Sequence, residues 1–428
     1  MDQPAAPSLL DTVRMVLAEE IRHPGMERFA LAARLREDLG IDSVILMELL
    51  VRLETGHGFE VPKTALDSAR LITIGDLLAQ FGPDQAGTDL APRPRPVIDP
   101  AAGRAEARAA AGVHGEMPMD IKVHCYVSCL CDGLKRRDGI DHRPFYAAIP
   151  DSPFALDDRM RIRYHAAGMT HGDFRDWFAS LYGATITPVA DADTLLTAAE
   201  YPVNGIDTMV MVDLHRLPER ENPFDRDPFP HYALLAPHDE AGKLLMRDVD
   251  FRWEGPIAAD RLAAAMASPH VSGGFLIDHR DSRPPEPGAL AAFFRSVIQL
   301  DVNPFATGLR RVLAAHAGAR ATRPLADLPE AVAELPILVI RKYAYEHVIA
   351  FFWRTLGRDT ASFDFWADEI ERLVQGYRSA HFECAKLAAG QAPVDTTQLE
   401  RLIAGLEALE GAIKAEILRC TSELEQAA

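Results

Sequence analysis

Lysine is scarce in this chain, 7 residues in 428, and cysteine is scarcer, at 5. Arginine raises the basic total only to 45, against 63 acidic residues, for a formal charge of −18. That deficit argues against a general affinity for nucleic acid or for an anionic membrane surface. The preference for arginine over lysine, 38 to 7, is read as codon usage in a GC-rich genome. Five cysteines are too few, and odd in number, for a disulfide framework. Long apolar runs are also missing: stretches such as 335–340 fall far short of the ~20 residues a spanning helix needs. The opening residues, MDQPAAPSLLDTVRMV, lack a basic region followed by an apolar block, so no secretory signal is read and a reducing cytoplasm is expected. What is present is ordinary globular material, 48% hydrophobic and 25% charged, enough for two or three domains.

The pattern along the chain predicts a multidomain protein. Residues 1–82 read as a small all-α unit: Leu9, Leu10, Val13, Val16 and Leu17 recur at helical spacing, a second helix covers 43–54, and a short one covers 74–81. Residues 83–118 are rich in Pro, Ala and Gly without an apolar face and read as a mobile spacer, implying that the first unit moves relative to the rest. Residues 119–283 mix helices, at 125–136 and 173–181, with strands at 208–213, 231–236 and 244–250, the last two joined by the turn HDEAGK. Residues 284–428 are helical in pattern, and 397–424 is amphipathic.

In REDLGIDSVILMELLVRLETGHGFEVP, Ser43 opens the apolar-striped second helix. A serine there is ordinarily an N-cap. The whole arrangement, a helix, a long loop ending in LGIDS, a helix from that serine, a loop carrying EVP and a short last helix, resembles the acyl carrier protein family. The resemblance implies a four-helix carrier domain with 4′-phosphopantetheine on Ser43. It also implies a phosphopantetheinyl transferase and an acyl-loading synthetase or upstream biosynthetic enzyme as partners. A phosphodiester at a helix N-terminus is favoured by the helix dipole, and 13 acids against 8 bases in residues 1–82 suit recognition by basic partner surfaces.

After the spacer comes DIKVHCYVSCLCDGL, with Cys125 in the first turn of a helix, where the dipole favours a thiolate. His124, Cys125, Cys129 and Cys131 do not have the spacing of a common metal site, so no metal is expected. About a hundred residues on, His231 opens a strand, and folding the hairpin about 239–242 puts it opposite Asp250, with Asp248 diagonal on the same face. Cysteine at a helix start, histidine opening a strand and an acid on the return strand resemble the papain-like cysteine fold. More narrowly, HCYVSCLCDGL, TMVMVDLHRLP and HYALLAPHDEAGKLLMRDVD resemble the butirosin-pathway acyltransferase family. The resemblance implies Cys125 as nucleophile, His231 as general base and Asp248 as orienting acid, with Asp250 the alternative that the hairpin register favours. It departs from papain-type peptidases at Met119, where a glutamine would complete the oxyanion hole; that leaves the Cys125 amide and a second, unassigned donor.

The expected architecture is thus a carrier domain followed by an α+β papain-like cysteine domain with a helical C-terminal extension. The expected activity is carrier-dependent acyl transfer, from the arm on Ser43 through Cys125 to a small amine. Hydrolytic or cyclising release, and a non-catalytic carrier and docking role, are the alternatives. Tyr164, His165 and His171 flank a loop able to line a pocket; Cys384 and Cys420, and the aromatic run at 350–354, read as packing within the helical region.

Overall fold

The computed structural model describes residues 8–24, 26–41, 43–66, 71–81, 90–96, 123–166, 169, 172–220, 226–318, 320–390 and 394–427. The first unit contains α1 (Leu9–Met15), started by the Ser8 side chain accepting from the Asp11 amide and continued as a π-turn over Val16–Glu20. Then come α2 (Ser43–His57), a 3-10 turn at Lys63–Leu66 and α3 (Ile74–Gln80), which opens with a reciprocal Thr73–Asp76 capping box. Their shared core is Val13, Leu17, Leu49, Leu53 and Leu77. Helix α2 runs through Gly56 and stops before Gly58, whose φ of +73° a side chain would resist.

The second region opens with α4 (Cys125–Lys135) and a small antiparallel pair, β1 (Ala155–Leu156) and β2 (Ile162–Arg163). Helix α5 (Gly172–Tyr182) leads to β3 (Thr185–Val189), α6 (Ala192–Glu200), β4 (Ile206–Asp213), β5 (Pro230–Pro237), β6 (Lys243–Asp248), β7 (Trp253–Ala258), α7 (Ala259–Met266) and β8 (Gly274–Asp278). Six of these strands form one antiparallel sheet in the order β3-β8-β4-β5-β6-β7. Side chains alternate across it. Met209, Met211, Tyr232 and Leu234 face the main core with α4, whereas Val210, Val212, Ala233 and Leu235 pack on α6 and α7.

The C-terminal region is helical, as its pattern predicts: α8 (Pro287–Val297), α9 (Pro304–His316), α10 (Leu328–Ala331), α11 (Leu335–Val339), α12 (Ala344–Leu356), α13 (Thr360–Ala389) and α14 (Thr397–Ala427). It shares one apolar core with the sheet, so Phe351, Phe352, Trp353, Cys384 and Cys420 are all buried in packing. A buried polar knot reinforces the junction. Lys342 Nζ donates to Glu410 at 2.6 Å, to Asp151 at 3.2 Å and to the Pro150 carbonyl at 2.8 Å. Lys414 also reaches Asp151. With the Tyr345 and Tyr377 hydroxyls on Glu410 as well, each buried charge is paired and hydrogen-bonded, the condition for tolerating it away from water.

Two expectations change here. Strand β6 ends at Asp248, not Asp250, because the chain turns at 249–252 before pairing with β7. Within the stretch read as a mobile spacer, residues 90–96 lie against the C-terminal helices, and Leu90 belongs to the main core.

Helix α4 approaches β8 so closely that a Cβ on Gly133 would come within 2.1 Å of the His279 ring. Gly133→Ala should therefore destabilise the protein by about 1–3 kcal/mol, measured by the urea midpoint. An unchanged midpoint would contradict this packing.

Candidate active site

The β5–β6 ladder pairs Leu234 with Arg247 and Pro237 with Leu244, a register that continued outward would set His231 opposite Asp250. This register agrees with the hairpin count, but Asp250 lies beyond the end of the strand. Asp248 is the acid that meets the imidazole: His231 Nε2 donates to Asp248 Oδ1 at 2.9 Å. The other Asp248 oxygen accepts from Arg220 Nε at 2.9 Å, and the Phe251 amide adds a bond to Oδ1 at 3.2 Å. Arg220 lies over the Phe251 ring at 4.5 Å, and that ring also meets His231 edge-on. Among the described residues, sequence reasoning did not single out Arg220. It lies in a loop after β4, and one arginine among 38 carries no spacing signal.

Asp250 acts elsewhere. Its Oδ1 accepts from the Val123 and His124 amides at 3.1 and 3.2 Å and from the Ser128 hydroxyl at 2.8 Å. His124 is the N-cap of α4 and makes no side-chain cap bond; Asp250 instead ties down the two amides that lead into the helix and the Ser128 hydroxyl of its first turn. Two acids two residues apart thus divide the work. One holds the histidine; the other holds the helix that begins with Cys125.

Cys125 is half-buried at the start of α4, and its thiol is among the groups whose charge acts on the His231 imidazole. With Nε2 committed to Asp248, Nδ1 is the nitrogen left for the sulfur. Burial alone would lower the His231 pKa, but the charges of Asp248 and Cys125 outweigh it and raise the imidazole well above the ordinary histidine range. Burial would raise Asp248; His231 and Arg220 overcome it and hold the carboxyl below its usual range. Asp250 moves the other way, raised chiefly by burial and also by Asp248 beside it. Cys129, deep in α4, has its thiol pushed up by burial, the signature of an inert core residue.

Tyr164, from the loop singled out in the sequence, donates its hydroxyl to the Pro230 carbonyl next to His231, and the Tyr164 amide donates to Glu334. His165 is half-buried beside it. His171 and Met119 lie outside the described residues. A residue not anticipated is Arg341, a buried guanidinium whose bonds go to the Ser152 hydroxyl at 2.9 Å and to the Ser152, Pro153 and Tyr164 carbonyls. Burial pulls its pKa down to about 10, opposed mainly by the field of Cys125. Ser152 and Pro153 also line a cavity of ≈ 230 Å³ with Asp151, Asp173, Phe174 and Trp177. The Phe174 ring meets His124, the neighbour of Cys125, edge-on at 5.5 Å.

At the carrier end, Gly40 adopts φ +69° just before Ile41 enters the core, and Ser43 is the first residue of the 15-residue α2. Asp42 lies outside the described residues. A helix of that length presents its positive end at Ser43, which fits a phosphodiester. Among the described residues, no group of three or more His, Cys, Asp or Glu could hold a metal ion, and no helix is long and apolar enough to cross a membrane.

The domain arrangement is that of a carrier-containing biosynthetic protein. Residues 11–81 match the family described as phosphopantetheine attachment site, so this chain carries covalent phosphopantetheine. Residues 120–282 match the DUF6005 N-terminal domain, and residues 288–427 match the DUF6005 C-terminal domain. Petrobactin synthase of Bacillus anthracis is 32% identical over 307 residues, covering 70% of this chain and 94% of that protein. The chain belongs to the petrobactin synthase family.

The Asp248–His231 pair sets a signed expectation. Asp248 contributes stability above the ordinary carboxylate pKa, lost as pH falls through its lowered folded value. His231 contributes below its ordinary pKa, and that share is lost as pH rises through its raised value. Asp248→Ala leaves Arg220 and His231 buried without their acid. It should cost about 3–5 kcal/mol and return the His231 titration, followed by NMR of labelled histidine, toward the ordinary range. A His231 titration unchanged by the substitution would contradict the pairing.

Proposed function

We propose that this protein is an acyltransferase of siderophore-type natural-product biosynthesis that moves an acyl group from its carrier through Cys125 to an amine. The observation that carries the reading is the convergence of Cys125, His231 and Asp248 from a helix start and two strand ends. That is the nucleophile, base and orienting acid of a cysteine enzyme, and the arrangement is read as papain-like. The carrier domain supports a thioester donor, and the kinship with petrobactin synthase supports a synthetic role rather than a degradative one.

Phosphopantetheine, assigned to Ser43, supplies a terminal thiol that holds the acyl group as a thioester. Cys125 gives its proton to His231 Nδ1, and the thiolate attacks the thioester carbonyl. As the donor thioester's carbon–sulfur bond breaks, His231 returns that proton to the departing thiol, leaving the acyl group on Cys125. An amine then attacks. His231 accepts its proton, the Cys125 thiolate leaves, and an amide forms. Exchange between thioesters is nearly neutral and amide formation runs downhill, so no nucleotide is required. Asp248 keeps Nε2 occupied and the imidazole aligned throughout.

The tetrahedral oxyanion needs donors. Asp250 takes the Val123 and His124 amides but not that of Cys125, which is the first donor assigned to this role. The cavity that Phe174 lines, with the Asp173 carboxylate and the Trp177 ring, suits a cationic amine waiting to react.

Loaded on Ser43 by a phosphopantetheinyl transferase and an acyl-CoA, the Cys125→Ala variant should retain its acyl mass when amine is added, whereas the wild type discharges it as amide. Ser43→Ala should take up no arm. Equal amide formation by Cys125→Ala and wild type would refute the reading; free acid in place of amide would assign the protein to hydrolytic release.

A further inference from the structure

The carrier is seated on the body of its own chain. Phe382, on α13, is buried within the carrier's apolar core, with Ala385 packed beside it. Lys386, one turn further along, pairs with Glu54 near the end of α2 and with Glu383 on its own helix, and lies over the Phe382 ring at 5.6 Å. In a chain with 7 lysines and an acidic carrier, a lysine at this contact is the charge complement that a carrier requires.

Residues 90–96, next in sequence, are fixed to the same helices. Leu90 is 8% exposed and sits in a notch made by two glycines on facing helices. A Cβ on Gly376 of α13 would lie 3.3 Å from the Leu90 side chain, and one on Gly405 of α14 would lie 3.1 Å from it. The Ala91 carbonyl accepts from Arg372 at 3.0 Å, Arg93 pairs with Glu369 and lies over Phe365 at 4.9 Å, and Arg95 pairs with Glu416 at 3.2 Å. Every one of these partners belongs to α13 or α14.

We propose that residues 90–96 are an anchor and that α13 is a dock, together dedicating the carrier to the Cys125 of its own chain. The anchor resets the tether. From Phe81 to Leu90 the backbone spans at most about 30 Å, whereas from Phe81 to Val123 without an anchor it would span roughly 140 Å. The carrier therefore delivers within a short radius of its own body, at high effective concentration, and a neighbouring molecule competes poorly for the arm. Delivery to Cys125 rests on the function proposed above; the anchor and dock do not.

Hydrogen exchange of the full-length phosphopantetheinylated protein tests the anchor without any chemistry. Peptides of α13 and α14 around Gly376 and Gly405, which enclose Leu90, should exchange at least ~10-fold more slowly in the wild type than in Leu90→Asp; equal exchange would overturn the anchor. For the dock, Lys386→Glu and Glu54→Lys should each raise exchange on the carrier face against α13, and the two together should restore it. This cycle does not require Phe382 to be disturbed. Failure of the pair to restore protection would overturn the dock. Delivery is then read by mixing chains that lack the arm (Ser43→Ala) with loaded chains that lack the thiol (Cys125→Ala). At micromolar concentration this pair should form amide at least ~10-fold more slowly than the wild type, and Leu90→Asp in the loaded partner should narrow the gap. Equal rates would overturn dedication to the chain's own site. Loss of amide formation even in the wild type would instead strike the proposed function, leaving the exchange results to judge the anchor and dock.

Discussion

Asp248 and Asp250, two residues apart where β6 gives way to a turn, hold the two halves of the site in register. Asp248 fixes His231 from the strand beside it, and Asp250 fixes the two amides that lead into the Cys125 helix. Neither function survives a slip of the hairpin, because one residue of slip would send every side chain of β6 to the other face. The rest of the molecule serves this corner. The sheet sets the hairpin, α4 packs across it through residues such as Tyr126 and Val127, and the C-terminal helices close the other side with a buried polar knot that ends at Asp151.

Electrostatics explains why two neighbouring acids behave differently. Asp248 has Arg220 and His231 against it and stays ionised although fully buried. Asp250 meets two backbone amides and a hydroxyl, and its pKa rises with burial. A carboxylate facing a guanidinium and an imidazole suits the task of stabilising an imidazolium. A carboxyl facing neutral donors suits the task of holding the entry to a helix. The same reasoning draws attention to Arg341, whose partners are all neutral oxygens and whose strongest supporting field is that of Cys125.

Much of this arrangement was legible in the sequence where local pattern and function coincide. The apolar stripe of α2 with Ser43 at its head, the start of α4 at Cys125, and the His231 hairpin all follow from short-range periodicity. The hairpin register was legible as well, but the place where β6 stops was not, and that decided between Asp248 and Asp250. Arg220 and Arg341 come from distant loops and helices, where nothing in the sequence marks them. The stretch 90–96 was opaque for another reason. Its single buried residue, Leu90, shows no period, and its partners Gly376 and Gly405 lie in helices almost three hundred residues away or more.

The central claim is that the acyl group passes through the Cys125 sulfur. Its most direct test is peptide-resolved mass spectrometry of the wild-type protein, loaded with arm and acyl group and quenched in acid before any amine is supplied. The account requires acyl mass on the peptide containing Cys125, in exchange with the arm on Ser43, and its disappearance from both once amine is added. Acyl mass confined to Ser43 until amine arrives, followed by normal amide formation, would contradict it.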